Sequence, residues 1–175
     1  MNMKKILILG LILIAVGSTL TAISAGNIVS TTSENVVLEN NKLTINGVNF
    51  NIPEGYEEIE SDVDTSGSDG DNDGDDDTND VEDIDGTAVD KVISADFKNS
   101  AGDKIEIDVG IKANDEKIAE INPVNSEKKS INDKEGYLIK ETDDGKTQYK
   151  FEYLEDGKIV KIVTNNEDLL SQIIA

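Results

Sequence analysis

The chain has 175 residues and a net charge of −21, and all sixteen of its basic residues are lysine. Arginine, histidine, cysteine and tryptophan are absent, which excludes disulfides, thiolate nucleophiles, zinc–thiolate sites and histidine-based acid–base catalysis. Nucleic acid is excluded as a partner, because its phosphate backbone requires Lys/Arg clusters that this chain lacks. The functions left are those that use carboxylates, lysine or binding alone.

The N-terminal segment, residues 1–25, is predicted to direct export. Two lysines precede an uninterrupted apolar run, Ile6–Val16. As a signal peptide, the segment is cleaved after Ser24 or Ala25. As an anchor, residues 6–25 form a helix that at about 1.5 Å per residue spans a hydrocarbon layer of roughly 30 Å, with the lysines inside. Both alternatives predict an extracytoplasmic protein, either secreted or anchored to the membrane by this segment.

Residues 26–35 are small and polar, and we interpret them as a flexible lead-in to a single domain, residues 36–175. The first element of that domain is predicted to be a β-hairpin centred on Asn46-Gly47, a dipeptide typical of a type I′ turn. Apolar residues alternate with polar ones on both sides of it. Pro53 lacks a backbone donor and is expected to end the second strand.

An acidic window follows the hairpin. From Leu43 to Asp90 the chain carries seventeen carboxylates and no basic residue, so this window supplies −17 of the net charge of −21. Ordering the backbone costs about 1–2 kcal/mol per residue in conformational entropy. A segment with so few apolar side chains cannot bury enough surface to offset that cost. Residues 60–88 are therefore predicted to be a disordered acidic insertion. The insertion lies within the domain, because the hairpin before it is too small to be stable alone.

The rest of the chain predicts strands with two helices. Strands are expected at residues 92–97, 104–111, 129–132, 136–142, 146–154 and 158–164. Ile118 and Ile121, before Pro123, predict a mid-chain helix over residues 114–121. The last residues predict a helix capped by Asn165 or Asn166. The predicted fold class is α+β: a mainly antiparallel sheet with a short mid-chain helix and a C-terminal helix on one face.

The strand order, the sequence IPEGY at residues 52–56 and the ending YLEDGKIVKIVTNNEDLLSQII at residues 153–174 resemble PsbP/Mog1-like domains and related domains of unknown function on microbial cell envelopes. The resemblance covers residues 43–174 and is one of pattern, from which the acidic insertion departs. It implies a fold and a location. Because these families share no catalytic residues, it implies no chemistry.

One stretch of the acidic window has the spacing of a calcium loop. Residues 69–80 fit D-x-D-x-D-G-x-x-D-x-x-D, in which carboxylates converge on Ca²⁺ and Gly74 permits a sharp turn. The stretch resembles EF-hand and thrombospondin-type loops, with two departures. Asp80 stands where those loops have a bidentate Glu, and Asp76 stands where EF-hand loops have an apolar residue. The alternative is a solvated spacer that contacts divalent cations only diffusely. The candidate calcium ligands are Asp69, Asp71, Asp73, Asp75, Asp77 and Asp80.

These patterns favour an exported, non-catalytic cell-envelope or secreted module whose acidic loop contacts divalent cations or keeps neighbouring surfaces apart. A calcium-binding module that uses Asp69–Asp80 is the alternative. A carboxylate-based hydrolase comes third, with a pair such as Glu106 and Asp108 on one face of a strand. The expected setting of that pair is a solvated strand surface. Four aromatic residues are expected to serve the sheet: Tyr137, Tyr149, Phe151 and Tyr153.

Overall fold

The computed structural model describes residues 35–65, 82–143 and 145–175. Strands and bridges make up 62% of these residues and helices 8%. This part of the chain is therefore dominated by β-structure, and the predicted α+β class is wrong. The predicted signal or anchor segment lies outside the described residues. Within them, no helix is long and apolar enough to cross a membrane.

Within the described ranges, twelve strands, one 3₁₀ turn and one α-helix follow one another. The strands are β1 (Val36–Glu39), β2 (Lys42–Ile45), β3 (Val48–Asn51), β4 (Tyr56–Thr65), β5 (Asp83–Ile84), β6 (Thr87–Ala88), β7 (Lys91–Asn99), β8 (Lys104–Ile111), β9 (Ser126–Ile131), β10 (Lys134–Asp143), β11 (Lys146–Glu155) and β12 (Lys158–Thr164). The 3₁₀ turn is Ala113–Asp115 and the helix, α1, is Glu167–Ile173.

Seven antiparallel strands form the main sheet, in the order β4-β7-β8-β12-β11-β10-β9. β1, β2 and β3 form a second, smaller sheet, and β5 and β6 pair as a separate hairpin. The predicted Asn46-Gly47 hairpin is confirmed as β2–β3, with φ values of 45° and 84° at these two residues. Positive φ at both positions is what a type I′ turn requires. The strands predicted after residue 90 are also confirmed.

The main core lies between one face of the main sheet, the small sheet and α1. Residues of β8 alternate between this core and the opposite face, as the two-residue period of a strand requires. The Asn166 side chain accepts a hydrogen bond from the Asp168 N–H at 3.0 Å and so caps α1. Just after α1, Ile174 forms a β-bridge with Phe50 of β3. The largest fully buried side chains of this core include Tyr153, Phe50, Phe97, Phe151, Leu43 and Leu170.

The mid-chain helix predicted over residues 114–121 is wrong. Asn114 and Asp115 have positive φ values of 55° and 58°, which a right-handed helix cannot contain. The following strap, residues 116–123, is held by tertiary contacts. The Ile118 N–H donates to the Gly157 carbonyl at 2.8 Å, and the Ile118 side chain is buried. Burial of the apolar side chains outweighed a weak local preference for helix.

The predicted insertion, residues 60–88, is ordered at both ends. β4 continues to Thr65 and pairs with β7 along its length, and the β5–β6 hairpin fills residues 83–88. Only residues 66–81 of the predicted insertion lie outside the described residues. The predicted bounds are therefore too wide, because pairing with β7 orders an acidic strand that its own composition does not favour.

Candidate functional site

The second face of the main sheet, opposite the main core, is partly covered by apolar contacts. At one end, the β5–β6 hairpin and the strap pack onto β7 and β12. The remaining width of this face carries polar side chains. The apolar cover and the residues beneath it form a second buried cluster of Ile84, Val89, Val92, Ile118, Ile121 and Ile159.

A row of polar side chains crosses the second face from one strand to the next. Residues directly opposite each other in antiparallel strands have Cβ atoms about 4.5–5.5 Å apart, so each member of the row faces the next. We call this set the polar row. The pairing register places in it, from β10 to β4, Tyr137, Glu152, Lys161, Asp108, Ser94 and Asp62.

A buried ion pair lies at the centre of the polar row. Asp108 is only 6% exposed, and its Oδ2 lies 2.8 Å from Lys161 Nζ. The Ser94 hydroxyl donates to Asp108 Oδ1 at 2.8 Å, and Glu106 Oε1 lies 3.5 Å from the same Nζ. Burial acts against the Lys161 ammonium, but Asp108 and Glu106 outweigh it and raise the pKa of Lys161. The lysine is therefore charged and already engaged by its own sheet.

Glu152, next to Lys161 in the row, is fully buried. Neither oxygen of its side chain receives a hydrogen bond among the described residues. Burial, followed by its contact with the Asp85 carboxylate, raises the pKa of Glu152 to about 9. The same contact lowers the pKa of Asp85. Glu152 is therefore protonated at neutral pH, beside the Asp85 carboxylate at the turn of the β5–β6 hairpin.

Beside the polar row, a cavity of about 360 Å³ opens between β4, the start of the β5–β6 hairpin and the strands β7, β8 and β12. Burial, and then the charge of Asp108, raise the pKa of both Glu106 and Asp96. We call this cavity the acidic groove. Its lining includes Lys161 and eight carboxylates, Glu60, Asp62, Asp64, Glu82, Asp83, Asp96, Glu106 and Asp108.

The charge of the acidic groove is unbalanced. Eight carboxylates face one ammonium, and that ammonium is engaged by Asp108 and Glu106. A second cavity of about 450 Å³, near β9, is lined by two carboxylates and two lysines and is balanced. Residues 66–81, which carry seven further carboxylates, join the chain at Thr65 and Glu82, beside the groove. A positive ligand in the groove would therefore gain from the unbalanced charge of its lining.

The predicted calcium ligands, Asp69, Asp71, Asp73, Asp75, Asp77 and Asp80, lie outside the described residues. Among the residues that are described, no group of three or more carboxylates is arranged to hold a metal ion. The structure brings Glu106 and Asp108 together around Lys161. The expected solvated surface is wrong for Asp108, which is buried, whereas Glu106 is half-exposed.

β4 and its contribution to this site were not predicted from the sequence. Glu60, Asp62 and Asp64 alternate with Ser61, Val63 and Thr65, and they all point to the second face. This two-residue period of acidic side chains is a strand signal. The signal was overlooked because it lies within residues 60–88, which were predicted to be disordered from their acidic composition. Lys161 and Glu152 were missed as well, because only the register shows that they are neighbours.

Comparisons of the chain with protein-family models, with curated proteins and with solved structures found no match. The resemblance to PsbP/Mog1-like domains therefore stays a prediction.

Proposed function

We propose that this protein is an exported, non-catalytic binding module whose acidic groove holds a cationic ligand. The observation that carries the proposal is the charge of the groove, eight carboxylates against one ion-paired lysine. Carboxylates held together by a sheet repel one another, and burial, followed by this repulsion, raises the pKa values of Glu106 and Asp96. A cation in the groove relieves the repulsion and gains from the same field.

The spacing of the carboxylates suits a ligand with several separated charges. Glu60, Asp62 and Asp64 follow one another along one face of β4, so their side chains are spaced about 7 Å apart. Neighbouring strands lie roughly 4.8 Å apart. A row of ammonium or guanidinium groups matches such a grid, whereas a Ca²⁺ ion needs six to eight oxygens within about 2.6 Å of one point.

Two features favour binding over catalysis. The lining of the groove includes no aromatic side chain on which a sugar ring could stack. Its most buried carboxylate, Asp108, is already engaged by Lys161 and Ser94. For these two reasons we rank a carboxylate-based hydrolase behind a binding module.

The proposal that the protein is exported rests on its N-terminal sequence. Lys4 and Lys5, followed by the apolar run Ile6–Val16, support a secreted protein or one anchored by its N-terminus. A cell-envelope or extracellular location would expose the acidic groove to cationic peptides, polyamines and basic protein segments.

Calorimetric titration with spermine, a linear tetra-amine, tests the proposal. We expect saturable binding whose affinity falls steeply with added NaCl, since exposed charges are screened within a Debye length of about 8 Å at physiological salt. The variant Glu60→Gln/Asp62→Asn/Asp64→Asn should bind about tenfold more weakly, because each exposed charge contributes roughly 0.5 kcal/mol.

The matched control removes the same number and kinds of charge elsewhere on the protein. Asp115, Glu127 and Asp133 are exposed and lie outside the acidic groove. The variant Asp115→Asn/Glu127→Gln/Asp133→Asn should keep the wild-type affinity. Equal losses in the two triple variants would contradict a localised site and leave only general attraction to an acidic protein.

A further inference from the structure

β4 is a long edge strand. It spans ten residues at one end of the main sheet, and β7 is its sole strand partner within the described part of the chain. The outer side of an edge strand presents backbone N–H and C=O groups that another strand can pair with. A segment of this length offers room for several such hydrogen bonds.

The exposed apolar side chains of the described structure concentrate on this edge. Ile59, at the bulge between Glu58 and Glu60, is 52% exposed and Val63 is 38% exposed. Glu60, Asp62 and Asp64 project to the second face and line the acidic groove. The edge therefore presents carboxylates on one face and Val63, which pairs with Ile93 of the main core, on the other. An added strand with cationic and apolar residues in alternation would complement both.

One backbone donor of the edge has a replaceable partner. The Val63 N–H donates to Asp62 Oδ1 at 2.7 Å, in an exposed position. A carbonyl of an incoming strand could accept this hydrogen bond in place of the side chain. Asp62 would then be released to pair with a cationic side chain of the same strand. The backbone hydrogen bond of Val63 and the ion pair of Asp62 with the incoming strand would therefore form together.

We infer that β4 accepts an extended segment of a partner protein, rich in Lys or Arg alternating with apolar residues, as an eighth strand whose cationic side chains enter the acidic groove. This inference rests on the proposed function, since it names the partner of the same groove. The occupant is not β4 of a second copy of the protein. A second β4 would bring an identical row of carboxylates, and the two rows would repel each other.

The test compares three peptides of one sequence, Lys-Val-Lys-Val-Lys-Val-Lys with both ends blocked. One is unmodified, one is N-methylated at every valine, and one is N-methylated at every lysine. N-methylation removes the backbone donors of one edge of the peptide and leaves its charge unchanged. In one methylated peptide the missing donors lie on the edge that faces solvent, and we expect this peptide to bind as the unmodified one does. In the other they lie on the edge that pairs with β4, and this peptide should bind about tenfold or more weakly, since two or more hydrogen bonds are lost.

Two further measurements locate the added strand. By NMR hydrogen exchange, the Val63 amide should become protected in the presence of the unmodified peptide. Val63→Thr should weaken peptide binding severalfold, while the matched change Val124→Thr, at an exposed valine outside the edge, should not.

The failures of the two proposals differ. If all three peptides bind equally and the Val63 amide stays unprotected, cations bind in the groove but strand addition is refuted. If neither spermine nor any of the peptides binds, the proposed function itself fails. If the Val63 amide is already protected in a concentration-dependent oligomer without peptide, the occupant is a second copy and the inference is overturned.

Discussion

Glu152 on β11 faces Asp85 on the β5–β6 hairpin, and the two carboxyl groups shift each other's pKa in opposite directions. The Glu152 carboxyl is buried and keeps its proton beside the Asp85 carboxylate, so the protonation of one group links the hairpin to the main sheet. The groups around Glu152 are Lys150 on its own strand, Lys161 on β12 and Tyr137 on β10. The two lysines favour ionisation, but burial and Asp85 outweigh them.

This pair predicts a loss of stability at alkaline pH. The pKa of Glu152 is about 9 in the folded protein, above the value of 4.5 for an unperturbed glutamate. Between these values the folded state keeps a proton that the unfolded state has lost. The free energy of unfolding therefore falls with rising pH, by up to about 1.4 kcal/mol per unit. The contribution is fully present below about pH 4.5 and is lost by about pH 9.

Glu152→Gln, which is neutral at every pH, should flatten this dependence. In urea unfolding at several pH values, we expect the variant to be more stable than the wild type near pH 9 and to show a smaller slope above pH 6. Glu127→Gln, an exposed control on β9, should keep the wild-type slope. A slope unchanged by Glu152→Gln would show that Glu152 does not hold the proton.

Removing Lys161 should destabilise the fold strongly. Lys161→Met leaves the buried carboxylate of Asp108 without its counter-charge, which costs about 3–5 kcal/mol. Lys134→Met removes a more exposed pair with Glu155 and should cost about 0–1 kcal/mol. Adding Asp108→Asn to Lys161→Met should restore more than half of the lost free energy of unfolding. If the double variant is no more stable than Lys161→Met, the penalty does not come from the unpaired carboxylate.

Two glycines should respond differently to alanine. A Cβ on Gly136 would lie 2.2 Å from the Glu152 backbone carbonyl oxygen, which cannot move without breaking the pairing of β10 with β11. A Cβ on Gly110 would meet the side-chain ends of Ile159, Ile84 and Val89 at 2.7–2.8 Å. Gly110→Ala should cost about 1–3 kcal/mol and Gly136→Ala more.

Hydrogen exchange separates the two cases. Gly110→Ala should speed exchange in the β5–β6 hairpin, since Ile84 and Val89 are pushed away from the sheet, and leave β10 unchanged. Gly136→Ala should speed exchange in β10 and β11. Faster exchange in the hairpin of both variants alike would contradict this assignment of the clashes.

Calcium binding by residues 69–80 remains a prediction from the sequence. We expect weak binding without one-to-one stoichiometry, displaced by monovalent salt as exposed charge is. Asp71→Asn/Asp73→Asn and Asp62→Asn/Asp64→Asn should then lose about equally little affinity for Ca²⁺. A saturable, salt-resistant isotherm abolished only by the first pair would establish a calcium loop.

Local signals in the sequence were sufficient for most of the sheet. The Asn46-Gly47 turn and the alternation within β8 are decided by neighbouring residues, so they were predictable. β4 was not predictable, because its order depends on pairing with β7, which is distant in sequence. The conformation of the strap was not predictable either, because Ile118 is buried by contacts with the sheet. The groove required the full strand order, since Glu60 and Glu106 become neighbours only through β7.

The bridge between Phe50 and Ile174 ties the small sheet to the last described residues. Asn132 strengthens this closure, because its side-chain amide donates to the Ser171 and Ile174 carbonyls. The N-terminal strands are synthesised before α1 and so remain, until it follows, without the surface that buries them. A chain built in this way folds late, once its C-terminal elements have been made, and folds slowly because its decisive contacts are non-local. The small sheet therefore depends on α1 being present, and until then Phe50 is open to chaperones and proteases.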